Sequence, residues 1–299
     1  MKVLVAGGTG LIGSHIIDRL LAEGTDEVFC GARRPERVTR WGSRVRAVKL
    51  DLRDPATLDA AMRGMDAVIH CVQFPNHPVE NPRRGYTYLE IDGKGTVASV
   101  TAAKASGVKR FIYLSGAGAG RGRAQAWFRA KDMAEDAIRQ SGIEYVILRP
   151  SWVYGPEDRS LNRFIGFARW LPFVPVIGNG KNRVQPLSVF DVARVAAAAL
   201  RKPEAANHSF ELGGPENLTM DEIIRMALRV VGKRRFLFHQ PAWMMKLVAG
   251  VLQFLPGPPL TPAAIDFILM EEPVDTRAAV EVFGPFERLE DGLRRYLKP

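Results

Sequence analysis

Cysteine is scarce in this chain of 299 residues, which contains only Cys30 and Cys71. Both fall in predicted buried strands, and one further strand is expected to lie between them. That arrangement separates the two thiols by about 9.5 Å, which is too far for a disulfide. The histidines, cysteines and carboxylates also lack the spacing of a metal site. We therefore expect neither a disulfide framework nor a bound metal.

Long apolar runs are absent as well. No stretch approaches the ~18 consecutive apolar residues of a membrane-spanning helix. The start, Met1-Lys2 followed directly by Val3–Gly7, does not resemble a secretory signal. We therefore expect a cytoplasmic protein.

Dense runs of positive charge are also missing, although the formal net charge is +10. The arginines stand singly or in pairs, and no nucleic-acid-binding motif occurs. The glycine-rich run Gly116–Gly120 lacks the Lys-Ser/Thr pair of a P-loop, and no Gly-x-Ser-x-Gly motif is present. The scattered cations predict a solvated surface with a phosphate-binding cleft, and no nucleic acid as a partner.

The chain does contain a regular alternation of strand and helix patterns over its first half. Short apolar runs predict strands at 2–6, 27–32, 45–50, 66–72, 109–115 and 143–149. Helical patterns lie between them at 11–23, 55–63, 86–106 and 125–141. Continuous Val, Ile and Leu runs are typical of strands buried on both faces. The pattern predicts the α/β class, with a doubly wound parallel-sheet Rossmann fold of strand order 3-2-1-4-5-6.

The pattern becomes irregular and rich in proline after Pro150. A helix at 190–201 is expected to pack back on the sheet, and one at 219–232 begins with a capping-box pattern. We therefore predict a dinucleotide-binding Rossmann domain over 1–150. A smaller, mixed C-terminal lobe over 151–299 is expected to be interleaved with it and to carry the substrate or partner site.

A glycine-rich turn joins the first predicted strand to the first predicted helix. Gly7, Gly10 and Gly13 have the spacing of a dinucleotide-binding loop. The first permits a tight turn, the second lets the backbone approach a pyrophosphate, and the third allows close packing of helix on strand. The helix N-terminus then offers free N–H groups to the phosphates. The other residues of this turn that we expect at the dinucleotide are Thr9, Leu11 and Ile12.

The end of the second predicted strand indicates which dinucleotide is bound. NAD sites usually place a carboxylate there to bind the ribose 2′-hydroxyl. This chain has Arg33 and Arg34 instead, and a guanidinium can pair with a 2′-phosphate and stack on adenine. We therefore predict NADP(H); the alternative is that both arginines are solvated charges. Asp51, followed by Leu52, is expected to contact the adenine amino group or else to cap the next helix.

Several motifs make the chain resemble the extended or atypical short-chain dehydrogenases/reductases, which are NAD(P)-dependent epimerase/dehydratase-like proteins. The matching segments are Gly7–Gly13, Asp51-Leu52, Tyr113–Ser115, Arg149–Pro156, Gln185–Val189, Asp191–Ala193, Phe210–Pro215 and Leu218-Thr219. Two shorter segments, Tyr154–Arg159 with Asn162 and Leu255–Thr261, are similar to the branch that contains the NADPH-binding accessory subunit of respiratory complex I. The resemblance covers nearly the whole chain and implies a nicotinamide cofactor, with Pro150 among its contacts.

The resemblance also implies an active site. In this family a tyrosine, assisted by a lysine four residues later, transfers the proton, and a serine after strand five orients the substrate oxygen. Ser115 matches the serine and Lys131 the lysine, which would also hold the nicotinamide ribose. Trp127 occupies the tyrosine position. Because an indole N–H can only donate, the usual tyrosine-dependent carbonyl reduction is called into question.

Two functions remain open at this point. The first is an NADP(H)-dependent oxidoreductase on an apolar carbonyl or related substrate, in which Ser115 polarises the substrate. Tyr86 and Tyr154 could then serve as the acid, the alternative being that they are packing residues. His70 is expected to be a buried, satisfied histidine rather than a base, and His77 to border the substrate cleft. The second is a non-catalytic NADP(H)-binding protein that docks on a protein complex or senses redox state, since a bound cofactor stabilises a fold whether or not it turns over.

One apolar segment is not accounted for by either function. Residues 241–255 form a nearly all-round apolar helical pattern bounded by Pro241 and Pro256, which is too short to span a bilayer. The segment could pack on the rest of the lobe, wall a substrate pocket, dock a partner or lie on a membrane. The basic residues Lys233–Arg235 just before it would suit an anionic surface.

Overall fold

Seven parallel strands form the central sheet of the computed structural model, which describes residues 1–255 and 258–298. The strands, numbered along the chain, are β1 (Lys2–Ala6), β2 (Glu27–Ala32), β3 (Val45–Lys49), β4 (Ala67–His70), β5 (Arg110–Leu114), β6 (Glu144–Pro150), β7 (Val153–Tyr154), β8 (Phe173–Ile177), β9 (Arg183–Val184), β10 (Leu187–Ser188), β11 (His208–Leu212), β12 (Leu218–Thr219) and β13 (Phe236–Gln240). The sheet order is β11-β6-β5-β4-β1-β2-β3. The predicted Rossmann fold and its order 3-2-1-4-5-6 are therefore confirmed, and β11 adds a seventh strand beside β6.

Helices cover both faces of this sheet. They are α1 (Leu11–Glu23), α2 (Pro55–Met62), α3 (Thr96–Ala105), α4 (Ala126–Gln140), α5 (Leu161–Trp170), α6 (Val189–Ala199), α7 (Met220–Val230), α8 (Ala242–Leu252), α9 (Pro262–Ile268), α10 (Arg277–Phe283) and α11 (Leu289–Arg294). Successive side chains of a strand point to opposite faces. Val3 and Val5 of β1 therefore pack with α1 and α6, whereas Leu4 packs with α2, α3 and α4. None of the helices in the described part of the chain combines the length and apolarity needed to cross a bilayer.

The helix predicted over 86–106 consists of two kinds of helix. A π-helix occupies Tyr88–Gly95, and α3 continues from it. π-helices are rare and often mark functional sites, and the apolar periodicity of the sequence does not indicate this one. Gly95 permits a close approach to the loop after β3, since a Cβ there would lie 2.8 Å from the Cβ of Leu52. The π-helix also turns Asp92 inward, where it is fully buried.

The second half of the chain contributes to the sheet and also builds a smaller lobe. α6 and β11 join the Rossmann layers, whereas three two-stranded sheets (β7 with β10, β9 with β12, β8 with β13) pair segments beyond them. α7 begins with the predicted capping box, in which Thr219 and Glu222 exchange hydrogen bonds. The apolar pattern at 241–255 corresponds to α8, but Pro256, expected to bound it, and Gly257 lie outside the described residues.

Candidate functional site

The glycine-rich turn connects β1 to the N-terminus of α1. Gly7 has a φ of +83°, a conformation that other residues rarely adopt. A Cβ on Gly13 would lie 2.3 Å from the carbonyl oxygen of Gly7 and 2.8 Å from the Cα of Gly8, so the turn closes only with glycine there. Gly10 caps α1 without a side-chain hydrogen bond, and the first turn contains no acidic residue. These features fit a pyrophosphate, because the N–H groups and the positive end of the helix dipole stay available to it.

The turn lies where the sheet order reverses between β1 and β4. At such a switch point the loops that follow the two neighbouring strands run in opposite directions, which leaves a cleft between them at the carboxyl ends of the strands. β4 ends at His70, and the carbonyl of Cys71 passes within 3.0 Å of a Cβ built on Gly7. Thr9 and Gly10 are exposed at this cleft. The other predicted contacts, Leu11 and Ile12, are half-buried.

Arginines and one tyrosine gather at the end of β2, where the adenosine ribose of a dinucleotide is expected. Arg33 and Arg34 are both exposed. The Arg33 guanidinium donates to the Tyr86 hydroxyl at 3.0 Å, and the Arg53 guanidinium lies 4.9 Å from the centre of the same ring. Sequence reasoning missed Arg53, although its position two residues after Asp51 was a signal. The cluster combines positive charge with a flat aromatic surface.

Asp51 is held by Arg53. The Arg53 Nε and Nη2 atoms donate to the two carboxylate oxygens of Asp51 at 3.1 and 3.0 Å. These hydrogen bonds lower the pKa of the Asp51 carboxyl from its ordinary value, against the opposing effect of burial. α2 is capped by Asp54 rather than by Asp51. The neighbouring Leu52 is buried.

Ser115, directly after β5, is committed to a buried carboxylate. Its hydroxyl donates to Glu135 Oε1 at 2.7 Å. Glu135 also accepts from Arg149 Nε at 2.9 Å and from Arg139 Nη2 at 2.6 Å. Burial raises the pKa of the Glu135 carboxyl, but the hydrogen bonds from Arg149, Ser115 and Arg139 outweigh it and lower the pKa overall. The serine that would orient a substrate thus belongs to an internal network.

Trp127, predicted from the sequence to take the tyrosine position, is packed into the wall of the cleft. It is only 8% exposed, and its Nε1 has no hydrogen-bond partner among the described residues. A Cβ on Gly116 would lie 2.4 Å from the indole ring, so the ring rests directly on the backbone after β5. The Phe267 ring of α9 lies 5.6 Å from the indole. At the predicted tyrosine position the structure therefore has an apolar aromatic ring, not a group that can both donate and accept a proton.

Lys131 forms an ion pair inside the protein. The side chain is 3% exposed, and its Nζ lies 3.1 Å from Asp92 Oδ1 and 5.3 Å from the centre of the Tyr113 ring. Burial lowers the pKa of the ammonium, but Tyr113 and Asp92 outweigh that effect and raise the pKa above its usual range. Lys131 is therefore charged. Nothing in the sequence indicated Asp92 as its partner.

The two candidate tyrosines and the two histidines are dispersed. His70 is fully buried, which lowers its pKa to about 3, and Tyr154 packs in the C-terminal lobe. Tyr86 belongs to the arginine cluster at the end of β2. Among these four, His77 alone lies against Phe267, whose ring is 4.8 Å away, and its Nδ1 is 3.2 Å from the hydroxyl of Tyr88.

Pro150, at the end of β6, is buried, and its carbonyl accepts the N–H of Ala117 at 2.9 Å. This hydrogen bond ties β6 to the loop after β5 at the carboxyl edge of the sheet.

Cys30 and Cys71 are both free thiols. In the described part of the chain, no three His, Cys or carboxylate side chains cluster as metal ligands would.

Known proteins resemble this chain in sequence and in fold. A family model described as NAD(P)H-binding matches residues 7–203. The mitochondrial NADH dehydrogenase [ubiquinone] 1 alpha subcomplex subunit 9 of Arabidopsis thaliana is 30% identical over 84% of this chain and 63% of its own length. The (4-alkanoyl-5-oxo-2,5-dihydrofuran-3-yl)methyl phosphate reductase of Streptomyces griseus is 31% identical over 77% of this chain and 74% of its own length.

A solved structure shares the fold. The triphenylmethane reductase of Citrobacter sp., complexed with NADP(H), matches with a TM-score of 0.78 at 21% identity, over 99% of this chain and all of that one. The chain spans less than two thirds of the plant subunit described above. The nicotinamide-binding family expected from the sequence motifs is confirmed: the chain belongs to the NAD(P)H-binding family.

Proposed function

We propose that this protein binds NADP(H) as a structural or regulatory ligand and does not carry out tyrosine-dependent carbonyl reduction. The observation that carries the proposal is the buried indole of Trp127 in the position where the family has its acid. The bound nucleotide could supply a hydride, but reduction also needs a proton donor at the substrate oxygen. An indole N–H is a donor that does not give up its proton near neutral pH.

The neighbours of Trp127 support the same conclusion. The Ser115 hydroxyl donates its proton to Glu135 and cannot donate the same proton to a substrate oxygen. Lys131 has three N–H donors, and Asp92 lies at ion-pair distance from it without accepting a hydrogen bond. We propose that Lys131 holds the nicotinamide ribose and that Asp92 positions the Lys131 ammonium. Cofactor binding would thus persist where proton transfer has been lost.

The test of this proposal is the bound ligand itself. Denaturing the purified protein should release NADP(H) unchanged, without a second organic molecule, as mass spectrometry would detect. The Trp127→Tyr variant should bind NADPH as the native protein does and show no carbonyl reductase activity, because the Ser115 hydroxyl that would orient the substrate still donates to Glu135. Trp127→Phe is the matched control without a hydroxyl. Release of a substrate-like molecule, or NADPH turnover by the native protein, would refute the proposal.

The choice of NADP(H) over NAD(H) is part of the proposal. Arg33 and Arg53 bring two guanidinium groups to the end of β2. Arg33→Ala should weaken NADPH binding by about ten- to a hundredfold, the value of one charge-assisted hydrogen bond, and leave NADH binding unchanged. Titration calorimetry with both nucleotides measures this. The control is Arg44→Ala, an exposed arginine at the amino end of β3, whereas Arg33 follows the carboxyl end of β2. Equal losses for NADPH and NADH in Arg33→Ala would contradict the assignment.

A reductase remains the second candidate, and two observations favour it. A curated relative that is 31% identical has a reductase name, and the Tyr88 hydroxyl bonded to His77 could replace the missing tyrosine as acid. Burial raises the pKa of Tyr88 and lowers that of His77 to about 3. Burial thus moves both pKa values away from the neutral range in which an acid transfers its proton best. This makes the reductase the weaker candidate.

The lobe beyond the sheet is the natural place for a partner. We propose the division into a dinucleotide-binding domain over 1–150 and a partner-binding lobe over 151–299, and a protein complex as the partner. The name of the plant relative, a subunit of NADH dehydrogenase, supports a role in a complex. A cytoplasmic location also stays a proposal, since that relative is named as mitochondrial.

A further inference from the structure

The C-terminal lobe exposes an unusual amount of apolar surface. Of the sixteen large hydrophobic side chains exposed among the described residues, eleven lie between positions 170 and 255. We call these eleven the apolar patch: Trp170, Phe173, Phe236, Phe238, Trp243, Met244, Leu247, Val248, Val251, Phe254 and Leu255. Apolar surface concentrated in this way marks an interaction site.

Part of the patch is the outer face of a two-stranded sheet. β8 and β13 pair in parallel, with Phe173 beside Phe236. The rings of Phe173 and Phe238 lie 5.8 Å apart on the outer face. The inner face carries Val174 and Leu237, which are buried in the core with α5 and α7. The sheet is therefore apolar on both faces, and only the inner face is covered by its own lobe.

The rest of the patch lies on α8. Trp243, Leu247 and Val251 recur every four residues, so they form one stripe along the helix. They are 66%, 64% and 73% exposed. Ala249 is the only buried residue of α8. An eleven-residue helix is about 16 Å long, which allows it to lie on a bilayer and is too short to cross one.

Unpaired cations lie at the sheet end of the patch, whereas Lys246 of α8 forms an ion pair with Asp266 of α9. The two segments that build it, 159–190 and 223–265, contain no aspartate or glutamate. Arg169 precedes Trp170, and Lys233 and Arg234 precede Phe236. These three cations form no ion pair with a described residue. The patch is thus apolar, and its border of free cations lies beside β8 and β13.

We propose that the apolar patch docks this protein on a membrane surface that contains anionic phospholipids. Apolar side chains would enter the boundary between headgroups and acyl chains, with the cations on the headgroups. Trp170 and Trp243 are the residue type that prefers this boundary. A second copy of the chain fits less well, because a two-fold contact brings the same surfaces together and would oppose cation to cation. The proposal does not depend on nucleotide binding.

Vesicle sedimentation with the full chain tests the proposal. Vesicles of phosphatidylcholine with about one third phosphatidylglycerol should bind the protein at least tenfold more tightly than pure phosphatidylcholine vesicles, and high salt should weaken the binding. The double variant Lys233→Glu/Arg234→Glu should lose at least about tenfold in affinity. Trp243→Ser should lose affinity in the same assay. All these positions are exposed, so the fold should persist.

The matched control is Lys104→Glu/Lys109→Glu, two exposed lysines of the Rossmann domain, which should bind vesicles as the native protein does. An equal loss in this control would overturn the proposal, because net charge alone would then explain binding. Failure to bind either kind of vesicle would also overturn it, as expected if the patch docks on another protein. A dimer that Trp243→Ser separates into monomers would assign the patch to a second copy instead.

Discussion

Gly13→Ala is expected to reduce NADPH affinity at least about a hundredfold, the equivalent of losing two charge-assisted hydrogen bonds. A Cβ at this position would lie 2.3 Å from the carbonyl oxygen of Gly7 and 2.8 Å from the Cα of Gly8. Both neighbours are backbone atoms, so no side chain can move aside. The turn would have to open, and the N–H groups of α1 would no longer face the phosphates. Titration calorimetry with NADPH measures the loss.

The same substitution should lower the free energy of unfolding by about 1–3 kcal/mol through overpacking. Gly166→Ala in α5 is the control, since a Cβ there meets no atom within 4 Å. Alanine in an open helical position should stabilise by about 0.5–1 kcal/mol and leave NADPH binding unchanged. Undiminished NADPH affinity in Gly13→Ala would show that the nucleotide does not bind at this turn.

Asp92→Asn is expected to destabilise the protein by about 3–5 kcal/mol, because it leaves the buried ammonium of Lys131 without its counter-charge. The two side chains are 0% and 3% exposed, and 3.1 Å separates the Asp92 Oδ1 and Lys131 Nζ atoms. Water cannot compensate for the lost charge at this depth. Urea unfolding followed by circular dichroism measures the change in the free energy of unfolding.

The double variant Asp92→Leu/Lys131→Met distinguishes the contribution of the buried charges to stability from that of side-chain packing. Replacing both members of a buried ion pair by apolar residues is often nearly neutral, so it should regain most of the stability that Asp92→Asn loses. It should also weaken NADPH binding if Lys131 holds the nicotinamide ribose. A double variant no more stable than Asp92→Asn would indicate that the pair is not the main source of the effect.

The fold was predictable because its signals are local. Each strand of the first half is a short apolar run, and each helix has its own apolar stripe, so the alternation is readable without knowledge of contacts. Once strands and helices alternate, right-handed crossovers leave few possible sheet orders. The boundaries were less certain. β4 ends at His70 rather than at 72, because its buried pairing stops where the chain turns into the cleft.

The partners of the candidate site residues were not predictable. Ser115 and Glu135 are twenty positions apart, and no local pattern links them. Asp92 faces Lys131 from a π-helix, and the wider turn shifts a residue's direction away from the α-helical expectation. Phe267, which lies against Trp127, comes from a segment that the sequence pattern did not connect with the cleft.

The sequence by itself determined the Rossmann sheet and the glycine turn at Gly7–Gly13, because backbone conformation and apolar periodicity act over neighbouring residues. It also predicted that an indole stands where the family has a tyrosine. Only the tertiary structure decided that Ser115 and Lys131 each face a buried carboxylate, and that the Trp243–Leu247–Val251 stripe of α8 stays exposed. Those properties depend on which distant segments meet. Burial then sets the free-energy cost of each charge and the strength of its interaction with a neighbouring charge.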